Sequence, residues 1–256
     1  MLTATQDRPV EVLKVGGAVV VNDAALAELA DHVARRAKER TLVVVHGGGE
    51  LITELHEQLG LETKKHGGLR ATPTESMKAV AMALRGAANA WVVGRLVARG
   101  VSALGLSGVD LGLMRSRFLN QAKLGRVGGP PRVDAAALHR LLSLDVVPVI
   151  APVCLAPDGG LLNVNADSVA HAVAVALGAA SLDFVSDVPG VYEADGKVRP
   201  RIRGGELADF LEEAEVSGGM IPKLQASLSA VSAGVGRVRI GSLTSLEANL
   251  ATEVVL

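Results

Sequence analysis

Two short β-branched runs each stop at a cluster of glycines. Val10–Val15 runs into Gly16-Gly17, and Leu42-Val43-Val44-Val45 runs into His46-Gly47-Gly48-Gly49. Each cluster stands where a buried strand should give way to a helix. Backbone without side chains lets amide N–H groups approach an anion closely, and the N-terminus of the following helix adds its partial positive charge. The pair of clusters predicts a chain built to hold phosphate.

The rest of the chain keeps the same alternation. Short β-branched runs separate longer Ala/Leu-rich segments, the pattern of parallel strands joined by crossover helices, so an α/β sandwich is expected. Strands are expected at Val10–Val15, Leu42–His46, Val101–Leu106, Val146–Ala151, Leu161–Val164, Leu182–Ser186 and Arg237–Ile240. Asn22 can cap a helix in which Ala25, Leu29, Val33 and Ala37 recur at helical spacing. Further helices are expected at Glu50–Leu59, Thr74–Ala98, Asp134–Ser143, Ala166–Leu177 with Asn165 as its cap, Gly205–Ala214 and Pro222–Ala233. Gly86 and Gly94 inside the long Thr74–Ala98 segment point to close packing or a bend. Between Leu113 and Arg132 the helical period is lost, and Gly125, Gly128, Gly129, Pro130 and Pro131 argue for hairpins or loop. The break at Gly178-Ala179-Ala180 divides one domain into two lobes, residues 1–178 and 179–256, with no linker long enough to make them independent.

Composition narrows the partners. With 256 residues, 49% of them hydrophobic, the chain can bury a substantial core. Its 26 Lys plus Arg nearly cancel 27 Asp plus Glu, so no global basic field recruits nucleic acid or an anionic membrane. Aromatic residues, at 2%, are too few to stack bases, and the expected substrate is small. Cys154 is the only cysteine and Met1–Pro9 has no apolar core, which fits a cytoplasmic protein. The six histidines are scattered without an H-E-x-x-H pair, so no protein-held metal is expected.

Lys14 ends its strand beside two glycines. Alone, that is an ordinary strand-end lysine at a tight turn; two such turns after adjacent parallel strands converge on the carboxyl edge of a sheet, where open α/β folds bind ligands. Neither G-x-G-x-x-G nor G-x-x-x-x-G-K-[ST] occurs, which disfavours a nicotinamide enzyme or a P-loop NTPase. Asn163-Val164-Asn165-Ala166-Asp167 puts three polar side chains at a strand-to-helix junction. Asn165 suffices as a cap, which leaves Asn163 and Asp167 for a site. Gly218-Gly219-Met220-Ile221-Pro222-Lys223 reads as a flexible turn into a helix, with Pro222 suited to the first helical position. Ser186-Asp187-Val188-Pro189-Gly190-Val191-Tyr192 is either a plain Pro-Gly turn or a nucleotide-contacting loop. His46 is expected to pack beside its glycines and not to act as a base.

Taken in order, these segments resemble the amino acid kinase family, from Glu11 to Leu256. KVGG (Lys14–Gly17) and SDVPGV (Ser186–Val191) mark the superfamily. HGGG (His46–Gly49), GLR-x-T (Gly68–Thr72), NVNAD (Asn163–Asp167) and GGMIPK (Gly218–Lys223) are similar to the branch that phosphorylates the side-chain carboxylate of N-acetyl-L-glutamate in arginine biosynthesis. The resemblance implies a three-layer αβα sandwich around a mainly parallel sheet, with ATP bound in the lobe formed by residues 179–256. It implies that Lys14 and Lys223 stabilise the transferring phosphoryl group and that Asp167 orients them. Gly47 and Gly48 would supply amides, and Arg70 and Asn163 would grip the α-carboxylate of acetylglutamate. Gly16, Gly17, Asp187, Val188, Pro189, Gly190, Val191 and Tyr192, with Glu215, Val216 and Ser217, would border ATP. Magnesium would ride mainly on ATP's own phosphates. The departures are local: His66 stands where relatives often carry a basic residue, and so does Ala90 after Ala88-Asn89.

The implied chemistry suits this inventory. A carboxylate acceptor with a pKa of about 4 is already ionised at neutral pH and needs no general base. The obstacle is an anion approaching a polyanion, which alignment and preplaced positive charge overcome. A sister kinase acting on a carrier-linked aminoadipate, and a non-catalytic amino acid or nucleotide sensor, are the alternatives. Gly49-Glu50 favours the acetylglutamate form, and the presence of Lys14, Asp167 and Lys223 argues against a sensor. In the resembled family, arginine-inhibited members carry an extra N-terminal helix. Met1–Pro9 is too short for one, since isolated helices below about 12–15 residues are marginal. A homodimer built through Thr74–Ala98 and insensitive to arginine is therefore expected.

Overall fold

A computed structural model of the chain describes residues 8–193, 195–207 and 220–256. Its strands are β1 (Val10–Val15), β2 (Thr41–His46), β3 (Lys65–His66), β4 (Leu69–Arg70), β5 (Ala103–Ser107), β6 (Met114–Arg115), β7 (Val127–Gly128), β8 (Arg132–Val133), β9 (Val147–Ala151), β10 (Val153–Leu155), β11 (Leu161–Val164), β12 (Ser181–Val185), β13 (Arg201–Arg203), β14 (Val238–Gly241) and β15 (Thr252–Val255). The helices are α1 (Gly17–Val21), α2 (Asp23–Arg36), α3 (Gly49–Gln58), α4 (Thr74–Ala81), α5 (Asn89–Val97), α6 (Gln121–Leu124), α7 (Ala135–Leu142), α8 (Ala166–Ala176), α9 (Met220–Ser232) and α10 (Leu243–Glu247), with a π-helical segment, Met82–Ala88, joining α4 to α5.

Among the described residues the main sheet runs β13-β15-β14-β12-β1-β2-β9-β5, parallel at every pairing except β14 with β15. Its strands are apolar on both faces because both faces are covered. Val12, Val43, Val45, Ile150, Leu182 and Phe184 join a core with residues of α7, α8 and α9. Their alternate neighbours Leu13, Val15, Leu42, Val44, Val149 and Val185 join a second core with residues of α2, α5 and α10. The period-2 pleat thus sorts one run of valines into two layers, giving the three-layer αβα sandwich. The sheet passes without a break across the division between residues 178 and 179, since β1 pairs with both β2 and β12.

Parallel pairing puts Val15 opposite both His46 and Val185, so the turns after β1, β2 and β12 emerge side by side at one sheet edge. A smaller sheet, β7-β11-β10-β6-β8, carries Asn163 on β11. Asn22 and Asn165 cap α2 and α8 as expected, accepting from Ala25 N and from Asp167 N and Ser168 N.

Several expectations change in detail. Lys65–Arg70, which reads as a polar loop, is a two-residue hairpin with Gly67 and Gly68 both at positive φ, as a type I′ turn requires. Thr74–Ala98 is one helical rod interrupted by the π segment, and a Cβ at Gly86 or Gly94 would meet nothing, so neither glycine serves packing within the chain. Pro222 lies inside α9, which already includes Met220 and Ile221. The sequence reading lacks β10, β13, β15, α1 and α10. Residues 1–7 of the Met1–Pro9 segment lie outside the described residues, as do most of Gly205–Ala214 and all of Glu215–Gly219. Among the described residues no helix is long and apolar enough to cross a membrane.

Gly125 ties the small sheet to the segment after the hairpin. Its backbone lies at φ 67° and ψ −128°, and a Cβ there would come within 2.4 Å of Thr72 O. Gly125→Ala should therefore lower the unfolding free energy by roughly 1–3 kcal/mol or more, read by urea denaturation. An unchanged midpoint would show that Thr72 yields freely.

Candidate active site

The two glycine turns touch backbone to backbone. A Cβ on Gly17 would stand 3.0 Å from Gly49 N and 3.2 Å from Gly48 N, and one on Gly47 would stand 3.3 Å from Gly17 N. On the far side, a Cβ on Gly48 would meet Leu84 of the π segment at 2.8 Å. The Gly47 N–H donates to Val15 O at 2.8 Å, and among the described residues the amides of the turn without a partner are those of Gly48 and of Gly49, the first residue of α3. Their nitrogens lie beside the position that Gly17 leaves empty, at the positive end of α3.

Lys14 reaches this place from β1. Its Nζ lies 2.8 Å from Asp167 Oδ1, and both side chains are almost wholly buried. The contact is ionic: Asp167 Oδ1 has no hydrogen bond of acceptable direction. Asp167 sits in the first turn of α8, which packs on the face of β1 that also shows Val12. Lys223 arrives from α9. Burial pushes its ammonium below the usual lysine range and Lys14's like charge adds to this, while Asp167 and Asp187 oppose it. Two ammonium groups and one buried carboxylate thus share a neighbourhood, with a second carboxylate at its rim.

Arg70 supplies another cation. Its guanidinium donates to Gly49 O at 2.8 Å and to the hydroxyls of Thr53 (2.7 Å) and Thr63 (3.2 Å), and among the described residues it has no carboxylate partner. The Asn163 amide donates to Thr72 Oγ1 at 3.0 Å, and Thr72 Oγ1 donates to Arg70 O, so both substrate-side candidates hang on one buried threonine. Lys14, Gly17, Gly47–Gly49, Arg70, Asn163 and Asp167 all line one cleft of about 270 Å³, at the small end of ligand sites. Lys65 lines it too and was not singled out in the sequence, because a charged residue in a two-residue strand leaves no periodic signal. A larger cavity, about 770 Å³, lies elsewhere beside Phe118 and Leu119.

The Ser186–Tyr192 loop leaves the carboxyl end of β12. Ser186 N donates to Gly241 O, Val191 N donates to Thr252 Oγ1, and a Cβ on Gly190 would strike Val198 and Thr252. The loop is anchored at both ends, with Asp187 and Tyr192 exposed. Gly16 opens the turn after β1, while Glu215, Val216 and Ser217 lie outside the described residues. His46 is fully buried, with Nδ1 bonded to Gly47 O and Nε2 to the Asn89 amide, and burial lowers its pKa to about 4. Among the described residues no three His, Cys, Asp or Glu side chains gather around a metal.

The buried pair makes a stability prediction. Asp167→Ala leaves Lys14 charged, buried and unpaired, and should cost about 3–5 kcal/mol, whereas Lys14→Met with Asp167→Leu removes both charges and should cost far less. Urea unfolding of the two variants checks this; equal losses would mean that the pair is solvated.

Residues 9–242 match the amino acid kinase family. A curated acetylglutamate kinase of Roseiflexus castenholzii is 44% identical over 241 residues, covering 93% of this chain and 92% of that protein. One of Bacteroides thetaiotaomicron is 38% identical over 251 residues, covering 95% and 97%. A solved structure from Streptococcus mutans UA159 superposes with a TM-score of 0.85 at 30% identity, covering 96% of this chain and 98% of that one. With the glycine turns, the Lys14–Asp167 pair and the eight-stranded sheet already in place, the match over nearly the whole chain leads to one conclusion: the chain belongs to the amino acid kinase family.

Proposed function

We propose that this protein transfers the γ-phosphoryl group of ATP to the side-chain carboxylate of N-acetyl-L-glutamate, giving ADP and N-acetyl-L-glutamyl 5-phosphate, a step of arginine biosynthesis in the cytoplasm. One observation carries the substrate side of this reading. Arg70 is a half-buried guanidinium bonded, among the described residues, only to neutral oxygens, in the same small cleft as the Lys14–Asp167 pair. A fork of donors without an anion is suited to a carboxylate. The acetylglutamate kinases at 38–45% identity over most of the chain support the same substrate.

In this reading the acceptor lies with its α-carboxylate against Arg70 and Asn163 and its side-chain carboxylate under the Gly48 and Gly49 amides. ATP enters over Gly16-Gly17 and the Asp187–Tyr192 loop, with Glu215–Ser217 as a further border. Lys14 and Lys223 neutralise the charge spread over the transferring phosphoryl oxygens, and Asp167 holds Lys14 in place. The residues fit Mg²⁺ carried by the nucleotide: Asp167 is pressed against an ammonium, a poor neighbour for a second cation, which leaves the phosphates as the natural ligands. The acceptor is already ionised, so no residue has to remove a proton.

A homodimer completes the reading. The π segment, α5 and the sheet's edge strand β5 leave Met82, Trp91, Val97 and Leu104 exposed. Covering that apolar face and the unpaired edge with a second copy removes both from water. Trp91→Glu should shift the protein to monomer in light scattering; an unchanged mass would move the interface elsewhere.

Four kinetic outcomes test the function. A coupled ADP-release assay should show turnover with N-acetyl-L-glutamate and little with glutamate or aminoadipate; preference for another acceptor would overturn the substrate. Lys223→Ala should lower kcat by roughly 10²–10³-fold with a much smaller change in acetylglutamate KM, and Arg70→Lys should raise acetylglutamate KM far more than ATP KM. Because burial holds the Lys223 ammonium below its ordinary range, kcat/KM should fall as pH rises through a pKa below 10.5, and Lys223→Arg should remove that fall. A profile flat to high pH would exclude Lys223 as the titrating group.

A further inference from the structure

The Gly47-Gly48-Gly49 turn raises a mechanical question that its sequence does not answer. A peptide unit between two glycines can rotate with little steric cost, so an N–H meant for a ligand can as readily face away from it. Something must hold it. The peptide is trans, so the Gly47 carbonyl and the Gly48 N–H point in opposite directions, and whatever fixes the carbonyl fixes the amide.

His46 bonds that carbonyl: its Nδ1 lies 2.8 Å from Gly47 O. On the other side of the ring, Nε2 lies 3.0 Å from Asn89 Nδ2, and the same Asn89 nitrogen lies 2.9 Å from Val149 O on β9. Both ends of this chain are carbonyls, which can only accept, and that determines every proton between them. Asn89 must turn its NH₂ toward Val149 O, and its second N–H then points at Nε2. His46 must carry its single proton on Nδ1 and donate it to Gly47 O. The Asn89 Oδ1 accepts from Arg85 at 3.3 Å, which closes the account of the amide. His46 is 0% exposed and Asn89 1%, so no water competes.

The surroundings are shaped for this chain. Asn89 stands where the π segment returns to α5, and Arg85, one turn back, reaches Gly105 O. A Cβ on Gly105 would fall 2.2 Å from Asn89 Oδ1, so β5 needs glycine there to admit the amide. Leu84 and Ala88 of the same segment press on Gly48. Burial keeps the ring neutral, with a pKa of about 4 although the bond to Gly47 opposes the shift; Arg85 is the charged neighbour that adds to it.

We infer that His46 and Asn89 are positioning residues: the buried relay from Val149 through Asn89 and His46 to Gly47 holds the Gly47–Gly48 peptide so that the Gly48 N–H faces the acceptor carboxylate. The inference rests on the phosphoryl-transfer reading for what that amide meets, and on the hydrogen bonds alone for how the amide is held. Neither side chain touches a substrate. Their contribution is to remove a peptide rotation that three successive glycines would otherwise permit.

The test has an arm that needs no activity. In ¹⁵N-histidine spectra of the intact protein, with His46→Gln to assign the signal, His46 should show a protonated Nδ1 and an unprotonated Nε2, unchanged between about pH 6 and 8, where an ordinary histidine titrates. An Nε2–H tautomer or an imidazolium in that range overturns the proposal whatever the enzyme turns over. Asn89→Leu, which removes the donor to Nε2, should release the tautomer and shift the Gly48 amide resonance. It should lower kcat by roughly tenfold to 10²-fold, below the loss of a whole donor, with ATP KM within about twofold of the parent. A folded Asn89→Leu protein with parental kcat overturns the positioning role. A parent protein that releases no ADP with acetylglutamate defeats the functional reading instead and leaves the spectra to decide the relay.

Discussion

The site depends on a contact that contains no side chains. β1 and β2 run parallel with Val15 opposite His46, so the turns that follow arrive at the same height and meet backbone to backbone, Gly17 against Gly48 and Gly49. A single methyl group at Gly17 would stand 3.0 Å from Gly49 N, and relieving that would pull the turns apart. On the other side Leu84 closes on Gly48, so the second turn is held between a strand end and a helix. Glycine is needed there for space before it is needed for any ligand. The same emptiness leaves the Gly48 and Gly49 amides uncovered at the start of α3, with the partial charge of that helix behind them.

Charge completes what the backbone begins. Lys14, Lys223 and Arg70 come from a strand, a late helix and a hairpin, and among the described residues the carboxylate buried with them is Asp167. A buried pair such as Lys14–Asp167 is poor evidence of stability, because desolvation offsets most of the attraction. In the proposed reading its value lies in geometry: it holds the Lys14 ammonium in the cleft that the glycine turns also line. Arg70 is held by two threonines and a backbone carbonyl, which orient the fork without neutralising it. The cleft is thus short of negative charge, and a reaction between a carboxylate and a triphosphate supplies it. No proton has to move.

How much of this the sequence displays follows from how local each feature is. The glycine clusters, the caps at Asn22 and Asn165, and the two-face pattern of β1 and β2 are written in consecutive residues and are legible there. Lys14 and Asp167 stand out as residues, but their pairing requires α8 to pack across β1, a contact more than 150 positions apart in the chain. The hairpin at Lys65–Arg70 is hidden because two-residue strands carry no periodicity, and Gly67-Gly68 signals only a turn. Gly86 and Gly94 read as close packing or a bend; the structure places Gly86 in the π segment, and a Cβ on either glycine would meet nothing within the chain. Gly47 belongs to the cluster as expected, yet its own N–H is taken by Val15 O. Which amide of three is free is a property of strand pairing, and no one-dimensional pattern encodes it.

The central claim is that this cleft drives a carboxylate onto the γ-phosphorus of ATP, and trapping the product tests it most directly. An acyl phosphate formed in the presence of hydroxylamine is converted to a hydroxamate, a group that neither ATP nor free acetylglutamate yields under the same conditions. The account predicts hydroxamate and ADP in equal amounts from ATP and N-acetyl-L-glutamate, with neither formed when acetylglutamate is left out. ADP released without hydroxamate would mean that the phosphoryl group goes to water or to another acceptor, and would contradict the assignment of the cleft.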